Sequence, residues 1–350
     1  MGIIARQSLK GTIVNYIGAF IGFISTMFIV TRFLSSEEIG LTRVLFEAAT
    51  FIGTFAQLGI TSSAIRFFPS FKSKDGNNHG FFFYMMMVPL VGCLIFLPFF
   101  GLLQDVICDY FKENSSLFVD YYDWLLPLMF FVVYLGVFET YANLLMRIVI
   151  PKVIREIVIR LLLIVVYLLY AFHVINLTGF VTGYVAVYGV AMLCNFFYVS
   201  KIGSVTLKHD SSFINKDLRK DILKYILFFM IGVIGGSITS RLDIFMVSAE
   251  LGLNYAGIYS IAFYMVAIID IPSRSITAIS SPVAADALRA GEFERANDLY
   301  KKVALHQLLI GGFIFLILWI NIDNIFAIIP QGDIYKEGKW VVFYIGLSRL

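Results

Sequence analysis

FFFYMMMVPLVGCLIFLPFFGLL, Phe81 to Leu103, holds no charged side chain and is apolar on every face of any regular element it could form. A run of about 20 such residues crosses the ~30 Å hydrocarbon core of a bilayer as a helix. A barrel strand would alternate polar and apolar side chains over about ten residues, and this run does not alternate. Lipid offers no partner for backbone amides, so a segment this apolar must close its hydrogen bonds within itself. The pattern recurs along the chain. Spans are read at Gly11 to Leu34, Val44 to Phe68, Gly80 to Leu103, Trp124 to Met146, Ile157 to Ile175, Gly179 to Ser200, Ile222 to Val247, Ala256 to Ser280 and Val303 to Asn321. A tenth begins at Trp340 with WVVFYIGLSRL, too short to finish a crossing, so the chain is expected to be a fragment or to lack partner helices.

Composition agrees. Hydrophobic residues make up 59% and charged residues 15%, against about 25% charged in soluble domains. The net charge of +3 comes from loop residues, so it reports topology rather than a nucleic-acid footprint. With the N-terminus cytoplasmic, inside loops collect Arg6, Lys10, Lys72, Lys74, Arg147, Lys152, Arg155, Lys201, Lys208, Lys216, Arg219 and Lys220, among others, whereas outside loops collect Arg43, Lys112, Lys336 and Lys339. This asymmetry sets the orientation. Cys93, Cys108 and Cys194 lack metal-ligand spacing and read as packing residues, and His79, His173, His209 and His306 stand apart, so neither a metal site nor a cofactor is expected. The first apolar span is too long for the core of a cleavable signal and has no small-residue cleavage site.

An internal repeat organises the spans. The shift that carries Gly18 onto Gly235 also carries Phe28 onto Phe245, Leu34 onto Leu251, Gly40 onto Gly257 and Phe46 onto Phe263, and it lays the first four spans over the seventh to tenth. A unit with an even number of helices returns the chain to the same side, so the halves should run parallel about an axis along the membrane normal. The expected fold is an all-α integral membrane protein. It would have an N-terminal lobe of six transmembrane helices over 1–200, a cytoplasmic linker over 201–221, and the start of a C-terminal lobe over 222–350, incomplete in this chain.

LSSEEIGLTRVL (Leu34 to Leu45) and LGLNYAGIYSIA (Leu251 to Ala262) resemble the turn after the first helix of each lobe in the polysaccharide branch of the multidrug, oligosaccharidyl-lipid and polysaccharide exporter superfamily. SRLDIFMVSAELG (Ser240 to Gly252) and SPVAADALRAGEFERANDLYKK (Ser281 to Lys302) resemble that branch too. The resemblance implies a MATE-like fold in two six-helix-type lobes. It also implies a Wzx-type flippase, a bacterial cytoplasmic-membrane protein that moves an undecaprenyl-diphosphate-linked O-antigen or capsule repeat unit across the bilayer by alternating access. The partners implied are the lipid-linked oligosaccharide, membrane lipids, a coupling proton or sodium ion and a polysaccharide polymerase, with no nucleic acid.

A charge at the bilayer centre costs about 2.5–3.5 kcal/mol on insertion scales, so intramembrane charges are the first functional candidates. A diphosphate needs cationic partners, and arginine pairs phosphate oxygens bidentately. Arg241 is the first candidate contact, then Arg274, Arg32 and Arg66. Asp243, Asp270, Glu47 and Glu139 are candidates for coupling or gating, and Gly235, Gly236 and Pro272 for bending points. Each has a plain structural reading beside it. Asp270 and Arg274 stand four apart and could pair along one helix, whereas Arg241 and Asp243 stand two apart and each needs a partner elsewhere. Arg32 and Arg66 could snorkel to the interface, Glu47 and Glu139 could hydrogen-bond a neighbouring helix, and the glycines could serve close packing. The 35 phenylalanines are mostly membrane filler.

Other functions compete. A cation-coupled multidrug exporter of the same superfamily should carry an acidic coupling residue in its first lobe, which Glu47 and Glu139 keep open although the first span has no carboxylate. A membrane enzyme such as a polymerase or acyltransferase needs a clustered catalytic group, and the long outside loops show none, so no catalytic residue is assigned. A scaffolding subunit would need neither the repeat nor the buried charges. The orientation has a direct test. Alkaline phosphatase fused after Glu113 should be active and a fusion after Asp210 inactive; the reverse pattern would place the N-terminus outside.

Overall fold

The computed structural model describes residues 3–73, 78–203 and 213–350, without the side chains of 3–6, 8, 9, 274, 275, 278, 279 and 282. Among these residues every regular element is helical, and eight helices are long and apolar enough to cross a membrane. In chain order the main helices are α1 (3–33), α2 (Ser36–Ala56), α3 (Ile60–Phe71), α4 (Phe81–Lys112), α5 (Leu125–Leu144) and α6 (149–171). They continue with α7 (Leu177–Ile202), α8 (Lys216–Glu250), α9 (253–289), α10 (Phe293–Ile320) and α11 (Lys339–Ser348). α1 and α6 each contain π-helical turns, Ser25–Val30 and Ile154–Val158. By internal packing the chain forms two compact units, Met1–Ser25 with Phe33–Ala256, and Thr26–Arg32 with Gly257–Leu350. Of the expected linker, residues 204–212 lie outside those described, as do Lys74, Lys208 and His209, and α8 begins within it at Lys216.

Outward faces are apolar, as lipid requires. Phe228 on α8 is 80% exposed, and Leu227, Ile231, Phe313 and Ile320 are similarly uncovered. In water such a surface would drive association, but against acyl chains it costs nothing, so helix association must come from close packing instead. Small residues supply it. In the first unit α5 packs against α2, α4 and α7. A Cβ on Gly53 would stand 2.9 Å from Val133, and one on Gly189 would stand 3.1 Å from Phe131. α4 meets the end of α2 more closely still, since a Cβ on Gly92 would fall 1.9 Å from the carbonyl oxygen of Ala56. Gly18 presses α1 onto α6, where a Cβ would lie 2.7 Å from that of Glu156. In the second unit α10 packs against α9 and α11, and a Cβ on Gly346 would lie 2.7 Å from the Phe315 ring.

The second span departs from the sequence reading. Val44 to Phe68 is not one helix: Leu58 and Gly59 take left-handed φ values of 47° and 67°, which ends α2 and starts α3. α2 also begins earlier, at a capping box in which Glu38 N donates to Ser35 Oγ (3.3 Å) and Ser35 N to the Glu38 carboxylate (2.8 Å). Arg43, expected in an outside loop, therefore lies within the helix. α4 is likewise longer than expected; at 32 residues it rises about 48 Å and carries Asp105 and Asp109 on its last turns.

The far end of α8 is tied down by side chains. Asn114 Nδ2 donates to the carbonyl of Ala249 (2.9 Å) and Ser115 Oγ to that of Ser248, so carbonyls that the helix end leaves open find partners. Gly252 completes the turn at φ 97°, where a Cβ would meet the Asn114 carbonyl at 2.6 Å.

Two glycines of α4 give the test of this packing. Gly92→Ala should destabilise by about 1–3 kcal/mol through overpacking against Ala56. Gly101, with nothing within 4 Å of an added Cβ, should accept alanine with no loss, or a gain of up to about 1 kcal/mol in helix propensity. Thermal unfolding of both variants in detergent checks the contrast.

Candidate functional site

Glu47 sits on α2 with its side chain 12% exposed and draws two arginines. Arg43, one turn before it, reaches Oε1 at 2.8 Å, and Arg241 from α8 brings Nε to 3.0 Å from Oε2. The first contact is the i,i+4 neighbour relation on one helix face. The second exists because α8 packs against α2. Charges at membrane depth persist when paired, and here one carboxylate serves two guanidinium groups.

The Arg241 contact is close but misaligned. Among the described residues its Nε is buried without a hydrogen bond, and Nη1 donates to Ser240 Oγ at 3.3 Å. A guanidinium has five N–H donors, so Arg241 holds donor capacity that Glu47 does not use. The surroundings are aromatic: the Phe46 and Tyr188 rings lie 5.3 Å apart and tilted, and Tyr188 neighbours Tyr184 at 5.5 Å. Asp243 is exposed on another face of α8.

The other charges separate into local clusters. Glu139 on α5 accepts from Arg155 at 2.9 Å. Arg160 pairs with Glu156 at 2.9 Å and donates to the carbonyl of Gly18, which ties α6 to α1. Asp270 has a partner from another helix: Arg349, just beyond α11, reaches it at 3.2 Å and lies 5.1 Å from the Phe263 ring centroid. The side chain of Arg274, the second candidate cation, lies outside the described residues. Arg66 is exposed, with its guanidinium 4.6 Å from the Tyr225 ring centroid and 5.5 Å from that of Phe67, cation–π contacts where α3 meets α8. Arg32 is exposed near the end of α1, and its carbonyl accepts from Gln331 at 3.3 Å.

The proposed bending points differ in kind. α8 runs as unbroken α-helix through Gly235 and Gly236, and an added Cβ at either would meet nothing within 4 Å. Close packing therefore does not explain that pair. Pro272 lies in the first turn of the helix Asp270–Arg289, directly after the 3₁₀ turn Ala267–Ile269.

Beside the charge cluster lies a cavity of about 520 Å³, enclosed by α2, α4, α8 and the segment between α4 and α5. Ala48, Phe51, Ile52 and Phe55 line it from α2; Phe96, Phe99, Phe100, Leu103, Ile107, Tyr110 and Phe111 from α4; Phe118, Tyr122 and Leu125 from the connection and α5; Leu242, Phe245 and Met246 from α8. No charged side chain lines it among the described residues. Sequence reading singled out Glu47 and Arg241 but missed their contact, and it missed Arg43, Arg155, Arg349 and the cavity. Only Arg43 had a local signal, the i,i+4 spacing to Glu47. No group of His, Cys, Asp and Glu among the described residues could hold a metal ion.

Residues 4–285 match the family described as polysaccharide biosynthesis protein, and the chain belongs to that family. Its fold is that of MATE-type proteins. One solved structure, described as the inward-facing conformation of a multidrug resistance MATE family transporter of the MOP superfamily, aligns with a TM-score of 0.68 at 14% identity over 95% of this chain and 78% of that one. Another, a MOP superfamily transporter from Pyrococcus furiosus Vc1 whose description reports reversed polarity of the binding pocket, aligns with a TM-score of 0.65 at 13% identity over 97% and 76%. No curated protein matches the chain. The protein is thus a multi-pass helical membrane protein of the polysaccharide biosynthesis family.

A double-mutant cycle on Glu47 and Arg241 tests the central pair. Removing one partner of a buried pair costs about 3–5 kcal/mol, and partial exposure here reduces this to about 1–3 kcal/mol. Glu47→Gln and Arg241→Gln should each lower the unfolding midpoint in detergent by more than half of the loss seen in the double variant. Strict additivity would mean the two residues do not interact.

Proposed function

We propose that the protein flips an undecaprenyl-diphosphate-linked oligosaccharide, of the O-antigen or capsule kind, across the bacterial cytoplasmic membrane by alternating access. The observation that carries this reading is Arg241: a membrane-embedded guanidinium, paired with Glu47 yet holding an unused buried N–H, in a chain of the polysaccharide biosynthesis family. A diphosphate arriving at Arg241 competes with the Glu47 carboxylate for the same donors and offers better alignment, since phosphate oxygens accept from a guanidinium in pairs. When the phosphate leaves, Glu47 takes Arg241 back, and the guanidinium is never stranded without a counter-ion. Partner exchange keeps both states affordable in a medium where an isolated charge costs several kcal/mol.

In this reading the N-terminus is cytoplasmic, and the sugar follows its diphosphate. Arg274, Arg32 and Arg66 are secondary contacts along the way. Glu47, freed from Arg241, is the residue placed to take a coupling proton or sodium ion, with Asp243, Asp270 and Glu139 as further candidates. Gly235 and Gly236 provide a point of compliance in α8, and Pro272 one in α9. The exported unit passes to a polysaccharide polymerase.

A second reading, a cation-coupled multidrug exporter, rests on the membrane-embedded carboxylate of Glu47 beside an aromatic cavity. The two readings differ in what Arg241 must do. A lipophilic cation has no use for an arginine, whereas loss of a charge-assisted hydrogen bond worth ~1.5–3 kcal/mol should cut diphosphate transport by about ten- to a hundredfold. In a flippase-deficient strain, the unaltered protein should restore surface polysaccharide. Arg241→Ala should leave lipid-linked repeat units on the cytoplasmic side, and Arg241→Lys should rescue in part. Normal surface polysaccharide with Arg241→Ala would overturn the proposal, and drug resistance conferred equally by both proteins would favour the exporter.

A further inference from the structure

The cavity beside Arg241 has properties that the charge site does not explain. It is about 520 Å³, within the ~300–1,000 Å³ range of small-molecule sites. Water is a poor occupant because the lining offers it no partners. Its two tyrosines have committed their hydroxyls elsewhere, Tyr110 to Glu250 Oε1 at 2.9 Å and Tyr122 to the Phe100 carbonyl at 3.4 Å, so they contribute ring surface alone. Leu103 and Met246, which line it on helices long and apolar enough to cross a membrane, are 48% and 54% exposed, so the cavity is open on that side.

We propose that this groove between α4 and α8 holds the hydrocarbon tail of a polyisoprenyl diphosphate, with the diphosphate on Arg241; the proposal rests on the flippase reading above. Continuity decides the occupant. Phe245 and Phe51 stand one turn beyond Arg241 and Glu47 on the same faces of α8 and α2 and line the groove with ring centroids 5.9 Å apart, so the chain that follows a phosphate on Arg241 meets apolar wall within one helical turn. The wall chemistry agrees. Phe51, Phe55, Phe96 and Phe245 present flat faces and edges, which suit the planar double bonds and methyl branches of an isoprenoid. Holding the tail beside the protein keeps it in an apolar setting while the head changes partners, so only the polar part has to cross.

The test uses the full chain in phosphatidylglycerol nanodiscs and two photoreactive probes, a polyisoprenyl phosphate and a phosphatidylglycerol, each with a diazirine in its tail. The polyisoprenyl probe should label peptides covering 96–111 and 242–246, and unlabelled polyisoprenyl diphosphate should compete. Met246→Trp, which fills the mouth at an exposed position, should lower that labelling by about tenfold, the scale of excluding roughly two methylenes. Phe228→Trp, on the open face of the same helix, should leave it intact and controls for folding. Equal labelling by the phosphatidylglycerol probe, or indifference to Met246→Trp, would overturn the groove. Labelling that meets every expectation in a protein that fails to restore surface polysaccharide would uphold the groove and remove the transport reading. Transport without labelling of the groove would do the opposite.

Discussion

Lipid accepts no hydrogen bonds and solvates no charge, and each feature of this protein answers to that constraint. Backbone amides close within helices because nothing outside can take them. Where a helix ends at a packed position, side chains take over, as Asn114 and Ser115 do for the last carbonyls of α8. Hydrophobicity cannot drive the helices together, since acyl chains are as apolar as Leu or Phe. Contact between backbones substitutes for it. Gly92 against Ala56 and Gly18 against Glu156 are two such contacts between helices of the first unit.

The same constraint turns each intramembrane charge into a pairing problem with few solutions. Some pairs are local and serve architecture, such as Arg160 with Glu156, where the arginine also reaches the Gly18 carbonyl. Others join distant segments, such as Glu139 with Arg155 and Asp270 with Arg349. The Arg43–Glu47–Arg241 cluster differs because one carboxylate is shared and one guanidinium N–H is left unaligned. A fully satisfied network rigidifies, whereas an incompletely satisfied one retains capacity for another ligand. That is the physical basis for proposing a functional role at this cluster. The apolar cavity one turn further along α8 places two opposite chemistries side by side. A molecule with a phosphate joined to a long hydrocarbon has the same arrangement.

The sequence by itself determined the solvent, the helical class and the approximate place of nearly every span, because transfer of side chains into lipid is close to additive along the chain and can be summed in a window. It also pointed to Glu47, Arg241 and Asp270, since a charge inside an apolar run is conspicuous. It did not show the break between α2 and α3, where Leu58 adopts a left-handed conformation that its residue type gives no reason to expect. Nor did it show which charges meet. Helices that are apolar all round carry no polar stripe, so their pattern does not tell which face turns to a neighbour. Arg241 and Glu47 lie far apart in sequence, and only the packing of α8 on α2 puts them 3.0 Å apart. Helix rotation and register, settled by close contact at a few small residues, were for the tertiary structure alone to decide.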